Sequence, residues 1–198
     1  AHGLLIRYHR DTKNWDIHNF SAPGAQFHFI DDAVFDPDDP NRLMIAGTRG
    51  IEDGGGFCFE FTTMVVDYNI DTYTYSVLPT TQLGGLRTIT PLPNGNFLTA
   101  GNAAGNCDWL PYPVVLEVEQ NLEIVHPNPP PATNGYSYGI YASTTLTNED
   151  IFMVGEEFHY GGPESHTLSY RYDPDTQVYE SFKPIDPDSS QIAQYNQL

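Results

Sequence analysis

The chain has 198 residues, of which 39% are hydrophobic and 13% aromatic, so it can bury a core and is not a disordered segment. Twenty-six acidic and eight basic side chains give a formal charge of -18, which repels phosphate backbones and anionic lipid headgroups. These numbers argue against nucleic acid and acidic membranes as partners, and no apolar run is long enough to insert into a bilayer.

A short frame that predicts β-hairpins recurs along the chain. The pattern Tyr-x-x-Asp-Thr-x-x-aromatic begins at Tyr8, Tyr68 and Tyr172, and a degenerate copy begins at Val118. An Asp side chain in a turn can bond its own backbone, and the flanking residues are aromatic or β-branched. Each copy therefore predicts two antiparallel strands joined by a tight turn.

A second marker alternates with the first. Three apolar strands each end in a glycine, and these glycines, Gly47, Gly101 and Gly155, recur every 54 residues. Each is preceded by a polar turn and an earlier strand, which predicts a second hairpin. Two hairpins in each unit of about 50 residues, with no helical period, are typical of a four-stranded propeller blade.

The two markers together predict an all-β propeller that forms a single domain. We expect three complete blades at about 27–79, 84–127 and 136–182, a half blade at 4–20 and a polar tail at 183–198. This count favours a segment of a larger ring, completed by further blades or chains. The alternatives are a compact four-bladed ring and a two-sheet sandwich.

The repeat resembles a known family. A glycine-ended strand followed by a turn such as Tyr-Asp-Pro-Asp-Thr at residues 172–176 is similar to kelch repeats. The resemblance is greatest to the galactose oxidase and glyoxal oxidase superfamily of secreted propellers, and it covers residues 4–182. It implies a secreted, extracellular protein. Kelch propellers include scaffolds, lectins and oxidases, so the resemblance predicts fold better than function.

The same resemblance raises the question of a metal cofactor. Galactose and glyoxal oxidases are copper-radical enzymes with a cysteine crosslinked to tyrosine, and the strands that correspond to the cysteine-bearing strand contain no cysteine here. His159 and His166 are close enough in one loop to share copper. Asp36, Asp38 and Asp39 offer oxygen ligands for calcium, but they lack the EF-hand frame, and the pattern favours solvated turn carboxylates. Our first interpretation therefore includes neither a cofactor nor catalytic residues.

Candidate binding residues lie on the long loops that follow the strand-ending glycines. In an up-and-down blade these loops emerge on one face, and binding residues concentrate on loops held by a rigid scaffold. Exposed aromatic rings stack on sugars and anchor protein partners, although they could also simply cover blade edges. The candidates are Arg49, Glu52, Phe57, Phe59, Trp109, Tyr112, Phe158, His159 and Tyr160.

Cysteine and asparagine residues add two expectations about the environment. Cys58 and Cys107 occupy the same loop of neighbouring blades, which favours a disulfide, although one of them could instead be a reactive thiol. Asn19 begins a glycosylation sequon. The sequence thus predicts an extracellular module that binds a glycan or a protein, or that serves as a structural unit of a larger assembly. The alternative is a segment of a secreted copper-radical oxidase.

Overall fold

The computed structural model describes residues 3–20, 27–52, 59–78, 80, 82–103, 112–125, 127, 136–159 and 165–182. These residues form fourteen strands and no helix. In chain order the strands are β1 (Gly3–His9), β2 (Asn14–Phe20), β3 (Phe27–Phe35), β4 (Arg42–Glu52), β5 (Phe59–Asn69), β6 (Thr74–Leu78), β7 (Gly85–Pro91), β8 (Phe97–Ala103), β9 (Tyr112–Val118), β10 (Ile124–Val125), β11 (Tyr136–Thr145), β12 (Ile151–His159), β13 (Ser165–Asp173) and β14 (Val178–Phe182). The predicted all-β class is confirmed.

The strands form four antiparallel sheets, not the two sheets of the sandwich alternative. One sheet is a two-stranded hairpin of β1 and β2, which we call the leading hairpin. The others have four strands each in chain order and are called the first (β3–β6), second (β7–β10) and third (β11–β14) sheets. No sheet in the described parts of the chain closes on itself.

The sheets pack face to face, and this packing explains the uninterrupted apolar runs. Met44 and Ala46 of β4 join a core shared with the second sheet, whereas Leu43 and Ile45 face the core on the other side, where Leu5 of the leading hairpin packs. A sheet covered on both faces needs apolar residues at consecutive positions instead of strict alternation. The inner strands continue the packing, because β7 contacts the first sheet and β11 contacts the second.

The three recurring glycines lie in equivalent environments, but they do not end their strands, because β4, β8 and β12 continue to Glu52, Ala103 and His159. A β-bulge interrupts the pairing of the first two strands in all three complete sheets. At Gly47, Gly101 and Gly155 a Cβ atom would lie only 2.1, 2.0 and 2.0 Å from a backbone carbonyl oxygen of the first strand in the same sheet. Only glycine fits at such a close approach. The recurring glycine is therefore a consequence of the recurring bulge.

The tyrosine-led frames form the predicted hairpins. In each of three copies the two aromatic positions pair directly across the ladder, as in Tyr8 with Trp15 and Tyr172 with Tyr179. The turn residue five positions after each leading tyrosine has a positive φ: 56° at Lys13, 58° at Tyr73 and 55° at Gln177. The Asp173 carboxylate accepts hydrogen bonds from Thr176, and these lower the pKa of Asp173.

A polar pair at equivalent positions ties the second strand of each complete sheet to the third. Arg42 Nε donates to Asp67 Oδ1 at 2.9 Å, and Asn96 donates its side-chain amide to Glu117 at 2.6 Å. In the third sheet the charges are exchanged, because Asp150 precedes β12 and accepts from Arg171. In each complete sheet a polar residue at the start of the second strand thus bonds a polar residue of the third strand.

Candidate functional site

A cleft between the first and second sheets is the candidate site that we favour. Its volume is about 230 Å³, slightly below the ~300–1,000 Å³ typical of ligand pockets. Strands of both sheets supply its walls, which combine two aromatic rings, two glycines and three polar residues. The lining residues are Phe29, Thr48, Phe61, Gly84, Gly85, Arg87 and Asn102.

Arg87 occupies the cleft because of the bulge in β7. The pairing of β7 with β8 shifts between Leu86 and Thr88, so Arg87 is the extra residue of the bulge. Its Nη1 donates to Asp31 Oδ1 at 2.5 Å, and Asp31 is the corresponding extra residue in β3. The Nε–H group of Arg87 is buried and has no hydrogen-bond partner. Arg87 is therefore held by Asp31, while part of its side chain stays exposed in the cleft.

Asn102 lines the cleft from β8, where it lies opposite Gly85. Its side chain lies on the other face of the second sheet, because a Cβ atom at Gly139 of the third sheet would lie 3.1 Å from Asn102 Cβ. The buried Oδ1 atom of Asn102, which has no hydrogen-bond partner, therefore points away from the cleft.

Two consecutive glycines allow the sheets to approach at this point. A Cβ atom at Gly84 would lie 2.2 Å from the Asn102 carbonyl oxygen, and one at Gly85 would lie 2.3 Å from Thr48 Oγ1. Gly84 also has a φ of +117°, which other residues rarely adopt. Larger residues here would push β7 away from its neighbours and change the walls of the cleft.

Hydrogen bonds join the first strands of the three complete sheets, β3, β7 and β11, beside the cleft. Asp32 Oδ2 accepts from Thr88 Oγ1 at 3.2 Å and from the Ile89 backbone N–H at 3.0 Å. The Thr88 hydroxyl lies 2.8 Å from Ser143 Oγ and accepts from the Ser143 backbone N–H. Because these bonds flank Arg87, they fix the strand segment that carries its guanidinium.

The residues predicted from sequence flank the connection between second and third strands. These connections are shorter than we expected, because β4 extends to Glu52, β5 begins at Phe59 and β12 extends to His159. Arg49 is a half-buried residue of β4 that donates to Thr62 Oγ1 at 2.7 Å and to the Thr80 carbonyl oxygen at 3.2 Å. It thus braces its own sheet. Tyr112 begins β9 and is about half exposed.

Several of the predicted residues cannot be placed as side chains. Phe57, Cys58, Trp109, Cys107 and Tyr160 lie outside the described residues, so the predicted disulfide stays a prediction. For Glu52, Phe59, Phe158, His159 and His166 the structure describes the strand but not the side chain. Asn19 lies exposed on β2, and its glycosylation stays a prediction.

Metal binding gains no support from the described residues. Among them, no three His, Cys, Asp or Glu side chains are grouped as metal ligands would be. Asp36 is buried, and its two oxygens accept from the Asp38 backbone N–H and from Arg42. The copper site at His159 and His166 and the calcium site at Asp36, Asp38 and Asp39 both stay predictions.

A second cleft lies among the tight turns at the other ends of the strands. It is lined mainly by turn residues, including Asn94, Glu149 and Asp175. Two of its carboxylates are already engaged, Asp150 by Arg171 and Asp173 by its own turn. We therefore place the candidate site in the cleft beside Arg87.

Comparison with known proteins does not assign the chain to a family. No protein-family model matches it, and neither does any curated protein. Across the described ranges no helix is present that could span a membrane. Function is therefore inferred from the geometry of the cleft and the pattern of the repeats.

Proposed function

We propose that the chain is a kelch-like propeller segment that acts as an extracellular binding module. Support for the propeller comes from three complete sheets with the same meander order, the same bulge and the same glycine environment. Further support comes from the packing, in which β7 contacts β3, β4 and β5, and β11 contacts β7, β8 and β9. Repetition of one such step generates a radial array of blades. The segments 4–20, 27–79, 84–127 and 136–182 are its units.

The ligand class that best fits the cleft is a neutral glycan. A sugar hydroxyl can accept from the exposed part of the Arg87 guanidinium. Aromatic rings such as Phe29 and Phe61 provide the apolar surface on which a sugar ring packs. The charge of -18 disfavours anionic ligands. The combination of the Arg87 guanidinium with two aromatic rings in one cleft is the observation on which the proposal depends.

Binding of neutral saccharides to the full chain tests this function. Saturation-transfer NMR with a panel of hexoses, N-acetylhexosamines and disaccharides should identify at least one ligand at concentrations up to about 10 mM, the weak end of the affinity scale. Phe29→Leu removes an aromatic face and should weaken the affinity up to about tenfold, because an aromatic contact contributes ~0.5–1.5 kcal/mol. Arg87→Lys keeps a charge for Asp31 but loses the planar set of N–H donors, and it should weaken binding similarly.

The stability of the variants separates a binding role from a structural one. Because Phe29 is 53% exposed, Phe29→Leu should change the melting temperature little. Asn19→Ala, at an exposed position on β2, is the control and should keep full affinity. If no saccharide binds, or if Phe29→Leu and Arg87→Lys both bind as the wild type does, the proposed function is wrong. A protein ligand and the copper-radical oxidase stay predictions without an observation that favours them.

A further inference from the structure

Three turns of the second and third sheets share one backbone geometry. The turns at 92–96, 119–123 and 146–150 are each closed by two main-chain hydrogen bonds between the same relative positions. In each turn an asparagine stands third, and the fourth residue has a positive φ, of 83°, 69° and 72° in chain order. The three pairs are Asn94–Gly95, Asn121–Leu122 and Asn148–Glu149. The same backbone thus carries three different residues after the asparagine.

Asn94 differs from the other two asparagines in the residue that follows it. Gly95 has no Cβ atom, so no side chain hinders the approach of its main-chain nitrogen to the Asn94 carboxamide, and its φ is unstrained. Leu122 and Glu149 carry side chains at this position and hold a φ that such residues rarely adopt. The nitrogen that follows Asn94 is therefore the least hindered of the three.

Asn94 is exposed, and its side chain is folded back along the turn. Its Oδ1 atom accepts from the Asn96 backbone N–H at 3.0 Å. Two further bonds restrain this turn. The Gly95 N–H donates to the Leu92 carbonyl oxygen at 3.0 Å, and Gln120 Nε2 donates to the Asn94 carbonyl oxygen at 3.1 Å. The Gly95 nitrogen is therefore free to react only when the turn opens locally.

We propose that Asn94 is a site of spontaneous deamidation, at a rate that Gln120 limits by holding the turn closed. In the opened turn the Gly95 nitrogen loses its proton and attacks Asn94 Cγ, and the new N–Cγ bond closes a five-membered succinimide ring. The Cγ–Nδ2 bond breaks, and ammonia leaves with the proton from Gly95. Water then adds to either ring carbonyl and opens the ring, which gives aspartate or isoaspartate.

The new carboxylate enters a cleft that is already acidic. Asn94 lines the cleft of turn residues together with Glu149 and Asp175 of the third sheet. Like charges repel, so the modification should loosen the contact between the second and third sheets at their turns. Isoaspartate also adds one methylene group to the main chain of the turn, and Asn94→Asp adds the charge alone.

Peptide mass mapping of the full chain, after incubation at neutral pH and body temperature, tests the proposal. A mass gain of about 1 Da, with isoaspartate in the product, should appear at Asn94 at least about tenfold faster than at Asn121 or Asn148. Fragmentation of the peptides distinguishes Asn94 from the Asn134–Gly135 pair, which lies outside the described residues. A rate at Asn94 no higher than at Asn121 would overturn the proposal.

Two substitutions test the roles of the glycine and of Gln120 separately. Glu149→Gly creates an Asn-Gly pair at an exposed position that already has a positive φ, so the turn should persist and the rate at Asn148 should rise at least about tenfold. Gln120→Ala removes the bond to the Asn94 carbonyl oxygen and should raise the rate at Asn94 about two- to tenfold, with Asn148 unchanged as the control. An unchanged rate in Glu149→Gly would contradict the role of the glycine, and an unchanged rate in Gln120→Ala would contradict that of Gln120. Neither result depends on saccharide binding at the cleft beside Arg87.

Discussion

Replacement of Gly101 by alanine tests the equivalence of the three complete sheets. The new Cβ atom would lie 2.0 Å from the Gly85 carbonyl oxygen, and real Cβ contacts are essentially never closer than 3.0 Å. The two strands must therefore separate by about 1 Å at a point where both backbones are held in a sheet. No side-chain rotation can relieve this contact, because the obstructing atom belongs to the backbone.

The magnitude follows from what the separation disturbs. Two ladder hydrogen bonds beside the bulge weaken, at about 1 kcal/mol each, and the displaced Leu86 disturbs a packed core, at about 1–3 kcal/mol. Gly101→Ala should therefore destabilise the chain by about 3–5 kcal/mol, which lowers the melting temperature by roughly 10 °C. Thermal and urea unfolding followed by circular dichroism measure both quantities. Gly47→Ala and Gly155→Ala should behave alike, because they meet the same obstruction.

Gly139→Ala is the matched control. Its Cβ atom would lie 3.1 Å from Asn102 Cβ, so a shift of a few tenths of an ångström relieves the contact. We expect a cost below about 1 kcal/mol, because the lower entropy of the unfolded alanine chain offsets part of the strain. If Gly101→Ala costs no more than Gly139→Ala, the close approach of the strands does not explain the recurring glycine.

Three further predictions concern ionisable side chains. Tyr172→Phe should leave stability unchanged or raise it by up to ~1 kcal/mol in urea unfolding, because the buried hydroxyl has no partner. Burial raises the pKa of Tyr172 to about 12, so stability should fall as the pH rises from about 10 towards 12, and urea unfolding over this range should show a smaller loss in Tyr172→Phe than in the wild type. The hydrogen bond from His9 lowers the pKa of Asp16 below 3.8, so the pairing of β1 with β2 should weaken as the pH falls through that range, as Trp15 fluorescence would report, but not in Asp16→Asn. Asp150→Arg should cost about 2 kcal/mol by placing two cations together, and adding Arg171→Asp should recover at least half of it in a double-mutant cycle.

The sequence predicts the strands because their signals are local. The tyrosine-led frames correctly mark hairpins, since aromatic residues paired across a strand and an Asp or Asn turn belong to one short segment. The glycines correctly mark equivalent positions in the second strands. The turn conformation could not be predicted, because Lys13, Tyr73 and Gln177 are not residues that normally favour a positive φ.

The cleft could not be found from sequence because its parts meet only in three dimensions. Arg87 and Asn102 lie on different strands, and no local pattern indicates that a bulge turns Arg87 towards the first sheet. The adjacent glycines Gly84 and Gly85 were the available signal, since small residues before a strand indicate a close approach of another backbone. Arg49 was chosen as a loop residue, but the strand continues through it and its guanidinium bonds within the sheet.

The polar pairs that join the second and third strands carry their charges in opposite order in the first and third sheets, and this bears on how repeated sheets can be added to a chain. Arg42 with Asp67 and Asp150 with Arg171 each close within one unit, so a duplicated unit carries both partners with it. Neighbouring units can then diverge, even to opposite polarity, without leaving a mismatched charge at their shared boundary. The hydrogen bond from Thr88 to Asp32 instead joins two sheets, so the first strands of the sheets limit which units can be neighbours.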